Sequence, residues 1–174
     1  MDANEQAAEM VILVDEEDEV VGTADKLEAH RAGLLHRAIS VVLFGPRGRV
    51  LLQQRAATKY HSPLLWANAC CSHPRPGENT EAAAHRRLAE ELGIEADLRY
   101  AGQFIYRAEL DGGLIEHELD HVFVGEFDGE PEPDPAEVAE WRWARTSELE
   151  ADLSAQDPNY VVWLADVLQL AQRA

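Results

Sequence analysis

At 174 residues and 46% hydrophobic content, the chain has enough apolar material for one domain with its own core. A formal net charge of -18 argues against nucleic acid, whose phosphates it would repel, and against anionic membrane surfaces. No apolar run is long enough to span a bilayer, and the only two cysteines, Cys70 and Cys71, are adjacent, which excludes a disulfide framework and points to a cytoplasmic protein.

Residues 1–8 read as a mobile leader on a single domain spanning 1–174, too acidic and polar for a secretory signal. Met10 to Val14 forms an apolar strand, Asp15 to Asp18 a turn, and Glu19 to Thr23 a second strand. Lys26 to Arg31 reads as a short helix stopped by Gly33, which leaves His36 at the mouth of a strand over 38–44. The turn Gly45-Pro46-Arg47-Gly48 joins that strand to 49–54 as an antiparallel hairpin. A polar loop over 55–63 carries Arg55 and Lys59, and a strand over 66–72 then ends at Pro74.

A helix runs from Asn79 or Thr80 to Leu92, with a capping residue in front, Glu81 at the positive end of its dipole and Gly93 at its stop. Ala84, Leu88 and Leu92 form its apolar stripe, while Arg87 and Glu91 share another face. Two long strands over 98–108 and 114–127 meet at the turn Asp111-Gly112-Gly113. A Pro- and acid-rich loop over 129–135 leads to a strand at 140–143, and helices over 147–153 and 160–172 close the chain.

Two stretches carry chemistry. In a strand, side chains two apart share a face, so Cys71 and His73 point one way and Cys70 and Ser72 the other. Glu116 and Glu118 repeat that spacing. With His30 and His36 they offer three imidazoles and two carboxylates, a donor set for one divalent ion such as Mn²⁺, Mg²⁺ or Zn²⁺. Cys71 has no partner pattern of an acyl nucleophile. At a reference pKa of ~8.5 its thiol stays mostly protonated near neutrality and can donate a proton. Glu118 is a carboxylate able to carry another. The chain's only lysines are Lys26 and Lys59.

The run Ser72-x5-Glu78-x7-Arg86-Arg87-Leu88-Ala89-Glu90-Glu91-Leu92-Gly93-Ile94 is similar to the Nudix box, a loop–helix–loop that binds divalent metal and diphosphate. Ser72 stands where glycine is usual, and Arg87 where the box has glutamate. Those departures fit one branch. Lys26-x3-His30-x5-His36, Asn68-x2-Cys71-x-His73-Pro74 and Glu116-His117-Glu118 resemble the type I isopentenyl-diphosphate delta-isomerases over nearly the whole chain.

That resemblance implies an α/β Nudix-type sandwich of mixed β-sheets flanked by helices. It implies that isopentenyl diphosphate is isomerised to dimethylallyl diphosphate in isoprenoid biosynthesis. His30, His36, His73, Glu116 and Glu118 would then hold the site metal, and Glu91 a Mg²⁺ shared with the diphosphate. Lys26, Arg55, Lys59 and Arg87 would bind the diphosphate. Cys71 and Glu118 would carry protons, with Tyr106 beside Glu118. The family's usual tryptophan after a C-terminal proline is matched here by Asn159, which leaves Tyr160, Trp163 or Trp66 to supply a cation-stabilising ring. The small-molecule substrate implies no nucleic-acid or membrane partner, in a monomer or homodimer. Two rivals remain: a Nudix pyrophosphatase acting on a nucleoside diphosphate derivative, and a non-catalytic metal-binding domain.

Overall fold

The computed structural model describes residues 9–174; the leader expected over 1–8 lies outside the described residues. Strands β1 (Met10–Val14) and β2 (Val20–Asp25) pair antiparallel across a turn whose Asp15 carboxylate accepts from the Glu17 and Glu19 amides. Helix α1 (Lys26–Ala32) starts because the Asp25 carboxylate accepts from the amides of Leu27 and Glu28. It stops at Gly33, whose positive φ of 66° a side chain would resist. Capped at both ends, this short helix turns His30 inward and delivers the chain to His36, the first residue of β3 (His36–Gly45).

β3 is the centre of the sheet. One edge takes β8 (Ile115–Glu126) in parallel over nine residue pairs, from His36↔Glu118 to Phe44↔Glu126. The other edge takes β6 (Cys70–Ser72), with Ser40 opposite Cys71. Because those partners occupy β3, its expected hairpin with β4 (Arg49–Arg55) shrinks to two pairs, Phe44↔Val50 and Gly45↔Arg49. β4 instead diverges to pair with β5 (Trp66–Asn68) and β9 (Val138–Arg145). The strand expected over 66–72 is therefore two strands broken at Ala69, one bonded to β4 and the other to β3. β7 (Leu98–Glu109) completes the expected hairpin with β8, placing Tyr106 opposite Glu118.

The sheet is covered on both faces, as strand alternation requires. Ile39, Val41 and Leu43 of β3 pack with Ala84, Leu88 and Leu92 of α2 (Thr80–Leu92). Val42 packs on the opposite side with Leu164, Val167 and Leu168 of α4 (Leu164–Gln172). Helix α3 (Thr146–Ser154) follows β9. The helix expected from Tyr160 begins only at Leu164, because Tyr160 makes a bridge with Trp66 and the Val161 amide donates to the Trp66 carbonyl. No helix among the described residues is long and apolar enough to cross a membrane.

Candidate active site

The register of β3, β6, β7 and β8 gathers residues that are far apart in sequence. Cys71 and Glu118 come from the two strands flanking β3, and both open on a cavity of about 200 Å³. Lys26, Arg55, Lys59, His73, Arg87, Glu91 and Glu116 also line it. His30, His36 and Tyr106 stand behind that surface, joined to it through Glu116 and Glu118. All twelve residues expected at the site thus belong to one cavity and its immediate backing.

At one end, ligand atoms of His30, His36, His73 and Glu118 all lie within 4.8 Å of one another, as do those of His30, His61 and Glu116. The tautomers explain why this cluster suits a cation. The Nδ1–H of His30 donates to the Lys26 carbonyl at 2.6 Å, and that of His36 to the Leu34 carbonyl at 2.8 Å. Each ring therefore turns Nε2 toward the carboxylates: His30 hydrogen-bonds Glu116, and His36 stands 3.4 Å from Glu118 with no hydrogen bond made. An Nδ1–H given to a backbone carbonyl with Nε2 aimed at a buried carboxylate is how metal-binding histidines are commonly oriented. The donor set fits a divalent ion.

Burial opposes charge on the His36 ring, but the adjacent Glu118 carboxylate outweighs it and pushes that imidazole up. Burial, then the neighbouring Glu118 charge, pushes the Glu116 carboxyl up. Burial would also raise Glu118, but the His36 and His73 imidazoles outweigh it and hold Glu118 well below the usual carboxylate range. Burial pulls His73 down to about 3, keeping that ring neutral. Tyr106 donates its hydroxyl to Glu118 Oε2 at 2.9 Å; burial and the Glu118 charge hold the phenol protonated.

Cys71 is held from several sides. Its thiol donates to Asn68 Oδ1 at 2.9 Å, while the Trp163 indole N–H points at the sulfur from 3.1 Å; the Ser40 hydroxyl, 3.7 Å from the sulfur, donates to Asp120 Oδ2 at 2.7 Å. Burial, then the Asp120 charge, pushes the thiol up to about 12, so it is protonated at neutral pH. The indole N–H aims at the sulfur, where charge would develop once the proton left. Cys70 points the other way, fully buried in the apolar cluster beneath α2.

The other end of the cavity carries cations. Lys59 pairs with Glu137, and Arg87 contacts Glu91 at 2.7 Å and Glu137 at 3.3 Å. Glu91 is engaged on both oxygens, since Gln53 donates to Oε2 at 2.9 Å. Arg55 lies 5.7 Å over the Trp163 ring and Lys26 lies 5.3 Å over Tyr60. Burial and the other nearby cations lower the Lys26 ammonium. A cluster of cations that lowers the ammonium of Lys26 among them is a surface prepared for an anion.

Of the three aromatic residues left open by sequence, one lines the cavity. Tyr160 bonds to Asp152 and Arg142, and Trp66 lies beneath the Arg142 guanidinium. Neither lines the cavity; Trp163 does, with Tyr106 6.3 Å away. Asn159 bonds its own neighbour Asp157. Sequence reasoning passed over His61 and Glu137. His61 offered one signal, an imidazole two residues after one of only two lysines; Glu137 sits after an acidic loop and offered none.

A family profile described as the NUDIX domain matches residues 34–164. The chain is 57% identical over 166 residues to an isopentenyl-diphosphate Delta-isomerase of Nocardia farcinica, covering 94% of this chain and 95% of that protein. It is 47% identical to the enzyme of that name from Serratia proteamaculans, over 92% of this chain and 90% of the relative. Among solved structures, one from Deinococcus radiodurans superposes with a TM-score of 0.77 at 22% identity, over 95% of this chain and all (100%) of the other. A MutT NUDIX hydrolase from Burkholderia pseudomallei gives 0.63 at 19% identity, over 78% and 97% of the two chains. These likenesses establish the Nudix α/β sandwich. With a metal-type donor cluster, a protonated thiol and a cationic rim on one cavity, and with relatives about half identical along nearly their whole length, the chain belongs to the isopentenyl-diphosphate Delta-isomerase family.

Proposed function

We propose that the chain isomerises isopentenyl diphosphate to dimethylallyl diphosphate, within isoprenoid biosynthesis, by proton addition and removal through a tertiary carbocation. The observation that carries this reading is a protonated thiol, Cys71, and an ionised carboxylate, Glu118, opening on one cavity from strands on either side of β3. An acid and a base already in their working protonation states suit a proton in and a proton out.

The diphosphate binds among Lys26, Arg55, Lys59 and Arg87, competing with Glu137 for two of them. Cys71 gives its proton to the terminal alkene carbon, leaving a thiolate that accepts from the Trp163 indole N–H. The positive charge develops on the tertiary carbon near the Trp163 ring, whose quadrupole stabilises it. Glu118 then removes a proton from the carbon on the diphosphate side, with Tyr106 holding its Oε2. One proton enters and one leaves, so the formula is unchanged. Buried walls keep water from trapping the cation.

A divalent ion (Mn²⁺, Mg²⁺ or Zn²⁺) on His30, His36, His73, Glu116 and Glu118 would supply the positive charge those carboxylates face, and Mg²⁺ at Glu91 would share the diphosphate charge. The reading extends to a single domain over 1–174 in a cytoplasmic monomer or homodimer that binds neither nucleic acid nor membrane. Incubation with isopentenyl diphosphate and Mg²⁺ in D2O tests it. Deuterium in dimethylallyl diphosphate is the expected result; released phosphate with no isomer formed would overturn it in favour of a hydrolase.

A further inference from the structure

His61 has no part in the reaction just described, yet its side chain is almost as enclosed as the histidines expected at the metal centre, at 8% exposure. It sits in the loop between β4 and β5, whose backbone is pinned by Arg55: Nε donates to the Ser62 carbonyl and Nη2 to the His61 carbonyl, both at 3.2 Å. The ring stacks on His30 with centroids 5.3 Å apart and planes 27° apart, and meets Trp163 edge-on at 6.1 Å. Its position is therefore set from both backbone and side chain.

Its two nitrogens are disposed like those of His30 and His36. Nδ1 is engaged locally, with Ser62 Oγ at 3.2 Å. Nε2 faces inward, 3.9 Å from Glu116 Oε2, and its ligand atom lies within 4.8 Å of those of His30 and Glu116. With metal–donor bonds of about 2.0–2.2 Å, donors on opposite sides of one ion stand about 4.0–4.4 Å apart, so this spacing is close to a shared coordination sphere. An ion that draws in Glu116 meets His61 Nε2 on the same side.

We infer that His61 is a further ligand of the divalent-metal centre, bound through Nε2 beside Glu116, giving the ion six protein donors instead of five. The inference rests on the reading of His30, His36, His73, Glu116 and Glu118 as ligands. Four imidazoles and two carboxylates suit Mn²⁺, Co²⁺ or Zn²⁺ better than Mg²⁺, which prefers oxygen. Six protein donors also leave the ion no open position, which suits a site that must exclude water.

The test uses the full chain loaded with Co²⁺, whose unpaired electrons displace the exchangeable N–H resonance of every ligating imidazole far outside the normal proton range. Four such resonances in the native protein, falling to three in His61→Gln, are expected. Co²⁺ affinity, measured by chelator competition, should fall about 10–100-fold in that variant. Three resonances in the native protein overturn the inference whatever the variant does, as does an unchanged affinity or an unchanged count in a folded His61→Gln. No displaced resonance at all would instead bring down the metal-centre reading itself.

Discussion

The two ends of the cavity solve opposite electrostatic problems. At the histidine end, buried imidazoles aim Nε2 at two buried carboxylates, and His36 Nε2 makes no hydrogen bond. At the arginine end the carboxylates Glu91 and Glu137 are already matched by Arg87 and Lys59. The first is short of positive charge and suits a cation; the second holds surplus cations, with Lys26 and Arg55 beside it, and suits an anion. A net charge of -18 makes that second end the exception in the molecule. The difference teaches that local register, and not overall charge, decides what each region binds.

Breaking the reaction while sparing both ends should have the largest effect. Cys71→Ala should lower turnover by about 10³-fold or more while bound metal is retained, since a positioned acid contributes about 10²–10⁴-fold. Cys70→Ala, on the core side, should cost stability and little turnover; equal loss in both would refute the assignment of faces. At the histidine end, Glu116→Gln should weaken metal binding about 10–100-fold, read by chelator competition. At the arginine end, Lys59→Ala should raise KM for the diphosphate about 10-fold, with kcat changed much less if its contact is equal in ground and transition states.

Two smaller effects sharpen the contrast. A thiol pushed up to about 12 has less thiolate than a free cysteine at every pH below that value. Iodoacetamide at pH 8 should therefore alkylate Cys71 about 10³-fold more slowly than a thiol of pKa ~8.5. Outside the cavity, Glu78 accepts from Arg86 at 2.7 and 2.8 Å and from the Arg75 amide at 2.8 Å; the Arg86 hydrogen bond holds its carboxyl low against burial. A lowered folded-state value stabilises above the unfolded value and is lost as pH falls through it. Glu78→Gln should thus lower stability near pH 7 by no more than about 1 kcal/mol after solvent screening, read in thermal melts, with the difference shrinking as acid protonates the native carboxylate.

Much of the fold was legible. Asn79 and Gly93 bracket α2 because a side-chain cap and a left-handed stop are local chemistry. The spacing of Cys71 with His73 and of Glu116 with Glu118 predicted each pair on one face, and all four line the cavity; Ser72, expected on the opposite face with Cys70, lines it too, because β6 ends at Ser72 and strict alternation ends with it. The break at Ala69 was not legible, because it depends on β4 and β3 diverging, a matter of which strands compete for which edge. The late start of α4 likewise follows from Tyr160 and Val161 being held by Trp66.

What the sequence determined by itself is the donor inventory and its local facing: three histidines, two glutamates two apart, a thiol beside an imidazole, and cations scarce enough to stand out. Only the tertiary structure decided that Trp163 and not Asn159 reaches Cys71, and that His61 and Glu137 join opposite ends of the cavity. The reason is physical. Spacing along a helix or strand is set by backbone geometry within a few residues, whereas contact between residues some ninety apart depends on strand pairing and loop closure, which no local pattern encodes.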